Sequence, residues 1–304
     1  MAGALSCLTY HCRVDPDGQS SVVSLDYPSE VNGMSLQNRF YDELARHAAA
    51  RRGALWVRNI AAQMLAHRLA PTIDPDYNGE ALLQRELAQE LRIAIDVGAN
   101  RGEWTTHLLE AAPAAERVIC YEPASAAIEI LSGRFSSDRR VEIVAAAVAD
   151  EAGERDFFEE PDAGETSSLV SSHANGLSYK RQVRVVTIDD EIDRLGLEHV
   201  DLLKIDAEGM DLHVLRGAQQ ALRTQRIRVA QFEYGPAWMP ASSTLLAAFQ
   251  MLRGHGYEVL ALLPDGLHRF DPERTGELFV YSNFVALSQE AMARFGDRVA
   301  PDAL

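Results

Sequence analysis

The chain has 304 residues, 47% hydrophobic and 24% charged, which is enough apolar material for one large core with an appendage and argues against disorder. Its formal charge of −16 and pI near 5.0 argue against a nucleic-acid partner, since phosphate neutralisation needs clustered Lys and Arg. Three cysteines, Cys7, Cys12 and Cys120, leave one unpaired in any disulfide scheme, and no His or Cys cluster has zinc spacing; a reducing, cytoplasmic setting without a metal site is expected.

The opening "MAGALSCLTYHC" lacks a basic segment and a long apolar run, and no stretch approaches the roughly 18 apolar residues of a membrane span, so a soluble, unprocessed chain is expected. Two apolar stretches flank the turn residues "DPDGQS", which predicts a hairpin over 5–27. From Leu36 to Leu69, Phe40, Leu44 and His47, then Leu55, Ile60, Met64 and Leu65, fall near helical spacing; two helices are predicted with a break at Gly53. They would pack on the core or on a second copy, as a homodimer contact.

"APTIDPDYNGE" gathers Pro, Asp, Asn and Gly and sets a boundary: an extension over 1–79 and a main domain over 80–304, opening with a helix from Glu80 to Leu91. Beyond Arg92, short β-type runs alternate with helical ones: "RIAIDV", "RVICYE", "VEIVAAAV", "VRVVTI", "VDLLKID", "RVAQFEY", "YEVLALL" and "LFVYSNFVAL". Such alternation predicts an α/β fold with a parallel sheet covered on both faces. Only "PDGLHRFDPERTGE", with no room for a helix, separates the last two strands, which should be antiparallel neighbours at one edge. The acidic, turn-rich "ADEAGERDFFEEPDAGETSS" reads as an excursion over the ligand face, carrying Thr166, Ser167 and Ser168.

In open α/β sheets ligands sit at the carboxyl ends of the strands. The first strand ends "DVGANRG": Asp96 heads a corner with Gly98 and Gly102, and Asn100 stands where a dinucleotide fingerprint would have its second glycine. This wider spacing is not shaped for a pyrophosphate and suits a ligand lying along the loop through a sugar and an amino acid. The second strand ends "CYEP", which puts Glu122 beside the corner, where a carboxylate can accept from both ribose hydroxyls. The blander reading is a tight turn and a solvated strand end.

The strand "LLKIDAEGMD" places Lys204, Asp206, Glu208 and Asp211 in one strand-to-helix turn, and alternation sends Lys204 and Asp206 to the same side, where they would pair. Helix capping accounts for Asp211 and competes with a chemical role for Glu208. Glu208, or Glu233 at the end of "QFEYG", could serve as proton acceptor for a hydroxyl nucleophile, and His173 in "SSLVSSHANG" is a second choice. Asp206, Glu208 and Asp211 could also offer oxygens to magnesium, but the adjacent lysine and the lack of histidines favour a metal-free site. Tyr234, Trp238 and Met239 would line an apolar acceptor pocket, or belong to the core or a subunit contact.

From about Glu80 to Ser288 the chain resembles the FkbM-type methyltransferases, on "DVGANRG", "CYEP", "AAVADEAGE", "TSSL", "VRVVTIDD", "DLLKIDAEGMDLHVLRGA" and "NFVAL", in that order. Asp211 stands where that family usually has glutamate. The resemblance implies a Rossmann-like class I fold, a mostly parallel seven-stranded sheet with an antiparallel last strand, and S-adenosyl-L-methionine as methyl donor for the hydroxyl of a small natural product or sugar. It further implies backbone contact from Gly98, Ala99 and Asn100 with the methionine part and Glu122 on the ribose. Pro123, Ala146 and Ser168 would complete the cofactor site, Ala146 near the adenine, with Asp206 at the reacting centre. The competing readings are an NAD-dependent oxidoreductase or epimerase, and a non-catalytic cofactor-binding member.

Overall fold

A computed structural model describes residues 35–69, 74, 77–160, 167–170 and 178–303. The hairpin expected over 5–27 lies outside the described residues, as do Thr166 and His173. The chain divides into two compact units, residues 1–57 and 58–304, so the expected boundary at residue 79 falls inside the second unit.

Helix α1 (Leu36–Arg46) starts at Ser35, whose hydroxyl accepts from the Asn38 amide at 3.3 Å, and α2 (Ala48–Leu69) follows it. The two helices part at His47, which adopts an extended backbone (φ −87°, ψ 117°), and not at Gly53 as expected. Gly53 continues α2, since a helix-interior glycine costs only about 1 kcal/mol relative to alanine. No helix among the described residues is long and apolar enough to cross a membrane.

In the second unit α3 (Glu80–Leu87) is one turn shorter than expected. There follow β1 (Ile93–Val97), α4 (Glu103–Ala111), β2 (Arg117–Tyr121), α5 (Ser125–Arg134) and β3 (Val141–Val144). The run "VEIVAAAV" is not one strand. After Val144 the chain leaves the main sheet, and β4 (Ala147–Val148) joins β5 (Gly153–Glu159) and β6 (Tyr179–Val186) in a small sheet of order β4-β6-β5. The acidic segment expected as a loop excursion therefore contains a strand, and "VRVVTI" ends the small sheet's β6 instead of adding to the main one. In β6 Val183 and Val185 are buried while Arg184 is exposed, the alternation of a sheet covered on one face.

The chain continues through α6 (Ile188–Arg194), β7 (Val200–Ile205), α7 (Asp211–Gly217), α8 (Gln219–Arg223), β8 (Ile227–Tyr234) and α9 (Leu245–Gly254). It closes with β9 (Glu258–Leu263), β10 (Gly266–Arg269), α10 (Pro272–Thr275), β11 (Ser282–Leu287), α11 (Gln289–Phe295) and β12 (Ala300–Asp302). Among the described residues the main sheet has nine strands, in the order β12-β10-β9-β11-β8-β7-β1-β2-β3, where seven were expected. The "PDGLHRFDPERTGE" segment holds β10 and α10, and β10 and β12 extend the sheet past β9. β9 and β11 are antiparallel neighbours as expected, but β11 is interior, wedged between β8 and β9 and antiparallel to both.

Every residue of β7 is buried, which is why it reads as a nearly continuous apolar run. α3, α4, α5 and α11 pack on one face of the sheet and α6 to α9 on the other. β1 lies between β2 and β7, whose chains turn to helices on opposite faces, so the ends of β1 and β7 open a crevice at the switch point.

Candidate active site

The crevice begins where β1 ends. Gly98 (φ 74°) and Asn100 (φ 45°) turn the chain through left-handed conformations, and a Cβ on Gly98 would collide with the Asp206 carbonyl oxygen. Only glycine lets these two strand ends meet. Gly102 (φ 79°) lies behind the corner, where an added Cβ would be 2.6 Å from Leu131 and Phe135, so it serves helix packing and does not line the crevice.

The amides of Gly98 and Ala99 donate to the Tyr121 carbonyl at 3.0 and 3.2 Å, and the Asn100 amide donates to Glu122 Oε2 at 2.8 Å. All three amides implied as ligand contacts are thus engaged within the protein. The corner's open polar groups are acceptors instead: the Gly98 carbonyl, whose other contact is Lys204 Nζ at 3.4 Å, and the buried Asn100 Oδ1, which has no partner among the described residues. Acceptors suit an ammonium group.

Glu122 is 6% exposed, with Oε1 accepting from the Ala124 amide at 2.7 Å and one lone pair left on each oxygen. Burial pushes its carboxyl up to about 7, although the two amide bonds pull the other way.

Strand register sets Asp96 beside Lys204, and Lys204 beside Gln231, in one row across β1, β7 and β8. Lys204 Nζ lies 3.4 Å from Asp96 Oδ1 and 3.3 Å from Asp206 Oδ2, the pairing expected for Lys204 and Asp206. Burial alone would lower the lysine's proton affinity, but Asp206, Asp96 and Glu80 outweigh it and hold the ammonium charged. Thr105 Oγ1 donates to Asp96 Oδ2 at 2.6 Å. Asp96 is fully buried and does not line the crevice, so it acts on it through Lys204.

The crevice encloses a cavity of about 530 Å³. Gly98, Ala99, Asn100, Glu122, Pro123 and Ala146 line it on the β1 and β2 side, and Asp206 and Glu208 on the β7 side. Ser168 also lines it, with its hydroxyl donating to the Glu208 carbonyl at 2.8 Å and its backbone paired with Phe158. Glu208 occupies a left-handed turn (φ 48°). Asp211 does not line the cavity; it opens α7 fully buried, accepts from the Ala207 amide at 3.4 Å, and is pushed up to about 7 by burial and by Asp206.

Tyr234 and Trp238 form part of an aromatic core with Phe232 and Phe284, and Met239 is exposed; none of the three lines the cavity. Residues with polar groups that sequence reading passed over also line the cavity: Glu80, Trp104, Gln231, Tyr281 and Asn283, beside Glu233. Glu80 looked like a helix start, and Trp104 like the first apolar residue of α4. Gln231 carried a signal, since it sits two residues before Glu233 on the same side of β8. Burial first, then Asp206, Asp211 and Glu208, push the Glu233 carboxyl well above the ordinary range, with Lys204 opposing.

Residues 96–259 match the family described as the methyltransferase FkbM domain. Methyltransferase sdnD of Sordaria araneosa is 28% identical over a match covering 41% of this chain and 60% of that protein. 2-O-methyltransferase NoeI of Sinorhizobium fredii is 26% identical, covering 46% of this chain and 63% of that protein. The chain thus spans less than two thirds of the length of these curated relatives. A solved structure described as methyltransferase FkbM from Methylobacillus flagellatus shares 20% identity at a TM-score of 0.42, covering 77% of this chain and 60% of that one.

Proposed function

The chain belongs to the FkbM methyltransferase family and has a class I methyltransferase fold, and from that premise we propose that it transfers a methyl group from S-adenosylmethionine to a hydroxyl of a small molecule. When bound, the donor supplies an electrophilic methyl group on a positively charged sulfur. The observation that carries this reading is Glu122, which lines the cavity beside the Gly98 corner and whose two oxygens are each fixed by one backbone amide with acceptor capacity left on each. That arrangement fits the two hydroxyls of a ribose.

The other residues present also fit the donor. Asn100 Oδ1 and the Gly98 carbonyl would accept from an α-ammonium, and Pro123, Ala146, Phe157 and Leu169 offer an apolar wall for a flat base. Asp206 would stand at the reacting centre as a counter-charge, its position held by Lys204. The family's chemistry is a displacement in which alignment and exclusion of water do most of the work, and positioning supplies up to about 7 to 11 kcal/mol of barrier reduction. Glu208 and Glu233 are the carboxylates on the rim that compete for the acceptor's proton. His173, an alternative from the sequence, lies outside the described residues. We read the chain as a cytoplasmic protein acting on small molecules, neither nucleic acid nor membrane being its partner. The exposed Phe40, Leu44 and Trp56 support a self-association face on the N-terminal helices.

Methyl-labelled S-adenosylmethionine, incubated with the full chain and a fractionated metabolite extract, tests the reading. Label should enter a hydroxylated product as S-adenosylhomocysteine forms in equal amount. Tight donor binding with no S-adenosylhomocysteine formed would mark a non-catalytic member instead.

A further inference from the structure

Resting on the methyltransferase reading, we propose that Glu233 takes the proton of the acceptor's hydroxyl, and that Trp104 Nε1 and Gln231 Oε1 hold that acceptor beside it. The order of strands along the crevice places these groups away from the donor's ribose. Glu122 follows β2 and Glu233 ends β8, three strands across, which at about 4.8 Å per strand is roughly 14 Å. The ends of β1 and β7, with Asp206, lie between them. A donor anchored at Glu122 and reaching past Gly98 would leave the β8 and β11 side of the same cavity for the acceptor.

Two further buried polar atoms, in residues that line the cavity, have no hydrogen-bond partner among the described residues: Trp104 Nε1, in a residue 7% exposed whose ring centroid lies 5.9 Å from Lys204 Nζ on β7, and Gln231 Oε1 on β8, in a residue 1% exposed. Leaving such an atom unpaired is costly, so a ligand that supplies the missing partner recovers that energy on binding. One atom is a donor and the other an acceptor, and a hydroxyl satisfies both kinds. Gln231 cannot readily turn away, because its Nε2 donates to Glu80 Oε1, and the Asn78 side chain holds Glu80 in turn, donating to its Oε2 and accepting from its amide at 3.0 Å each.

Glu233 sits two residues beyond Gln231 on the same side of β8 and opposite Asn283 in the register with β11. Strand-borne groups hold geometry better than turn-borne ones. That favours Glu233 over Glu208, which occupies a left-handed turn (φ 48°). The groups facing Glu233 are Asp206, Glu208 and Asp211 from the turn after β7, Lys204 from β7, and Tyr281 ahead of β11, which is itself beside Glu80. Burial first, and then the three acids, make Glu233 a stronger base than an ordinary carboxylate. A cationic donor in the crevice favours its ionised form, so the base is readied when the donor is in place.

In the step itself the hydroxyl O–H bond breaks as an O–H bond forms on Glu233. The acceptor oxygen's electron pair makes the new O–C bond, and the C–S pair leaves with sulfur. The proton then passes from Glu233 to solvent.

The test uses the full-length chain, labelled S-adenosylmethionine, and a probe panel of methyl glycosides and simple polyols, comparing wild type with E233Q, E208Q and W104F. Calorimetry first reports donor binding, which should stay within about threefold of wild type in E233Q, showing the fold intact. In two buffers of different ionisation enthalpy, wild type should release more protons than E233Q on binding S-adenosylmethionine near pH 7. E233Q should lower kcat by about 10² to 10⁴ and flatten the acid limb of the pH profile. W104F should raise the acceptor KM about tenfold with kcat largely kept. Equal proton release from wild type and E233Q, a larger loss in E208Q than in E233Q, or donor binding without transfer to any hydroxylated probe overturns the proposal. A chain that binds no S-adenosylmethionine would instead sink the methyltransferase reading beneath it.

Discussion

Asp96 and Lys204 face each other in the register of β1 and β7, with Nζ 3.4 Å from Oδ1, and the same ammonium reaches Asp206 at 3.3 Å. One buried cation therefore ties a residue outside the cavity lining to one that lines the cavity. Replacing it by an apolar side chain, Lys204→Met, leaves two carboxylates without the counter-charge they share. Breaking a buried pair in this way costs about 3 to 5 kcal/mol, so the Tm should fall by roughly 10 °C. An unchanged Tm would show that this ion pairing contributes nothing to stability.

Gly98→Ala should act differently. The new methyl would meet the Asp206 carbonyl and must also adopt φ 74°, so the β1 and β7 ends have to separate. A Tm drop together with at least tenfold weaker S-adenosylmethionine binding is expected, whereas Gly53→Ala, in a helix and open to solvent, should leave binding alone. Intact binding in Gly98→Ala would contradict the close approach.

The buried acids make a pH signature. Glu122 and Asp211 are both raised to about 7, from ordinary values of 4.5 and 3.8, and Glu80 is raised as well. Between those ordinary values and about 7 the folded chain binds more protons than the unfolded chain, so stability falls as pH rises through that window. Asp138 runs the opposite way, lowered by its hydrogen bond to Arg140, and loses its contribution only in stronger acid. The Tm of the ligand-free chain should therefore be higher at pH 5.5 than at pH 8, by several degrees in a thermal melt. The stabilisation given by the cationic donor should be larger at pH 8, where the acids are ionised. A Tm that climbs from pH 5.5 to 8 would contradict the assigned burial.

Much of this site could be read from the sequence because its parts are local. "DVGANRG" and "CYEP" each place their residues on one turn after a strand, and "KID" fixes the Lys204 and Asp206 pairing by alternation alone. Beyond Glu233 and its neighbour Gln231, the acceptor side was not legible, for the converse reason. Trp104 comes from α4, and Asn283 meets Glu233 only because β11 inserts between β8 and β9, which no local pattern announces. The small sheet was missed similarly: Ala147–Val148 continues the apolar run of β3, and its departure to pair with β6 is a long-range choice. Tyr234 and Trp238 read as pocket, core or subunit contact alike, because aromatic side chains fit each, and packing against Phe232 and Phe284 places them in the core.

Whether the crevice takes S-adenosylmethionine through Glu122, as proposed, is read by calorimetric titration. S-adenosylmethionine and S-adenosylhomocysteine should bind wild type, NADH should not, and Glu122→Gln should weaken both adenosyl ligands by about 10- to 100-fold, the loss expected for a charge-assisted hydrogen bond. Binding of NADH in place of the adenosyl ligands, or Glu122→Gln binding them as tightly as wild type, would contradict the account.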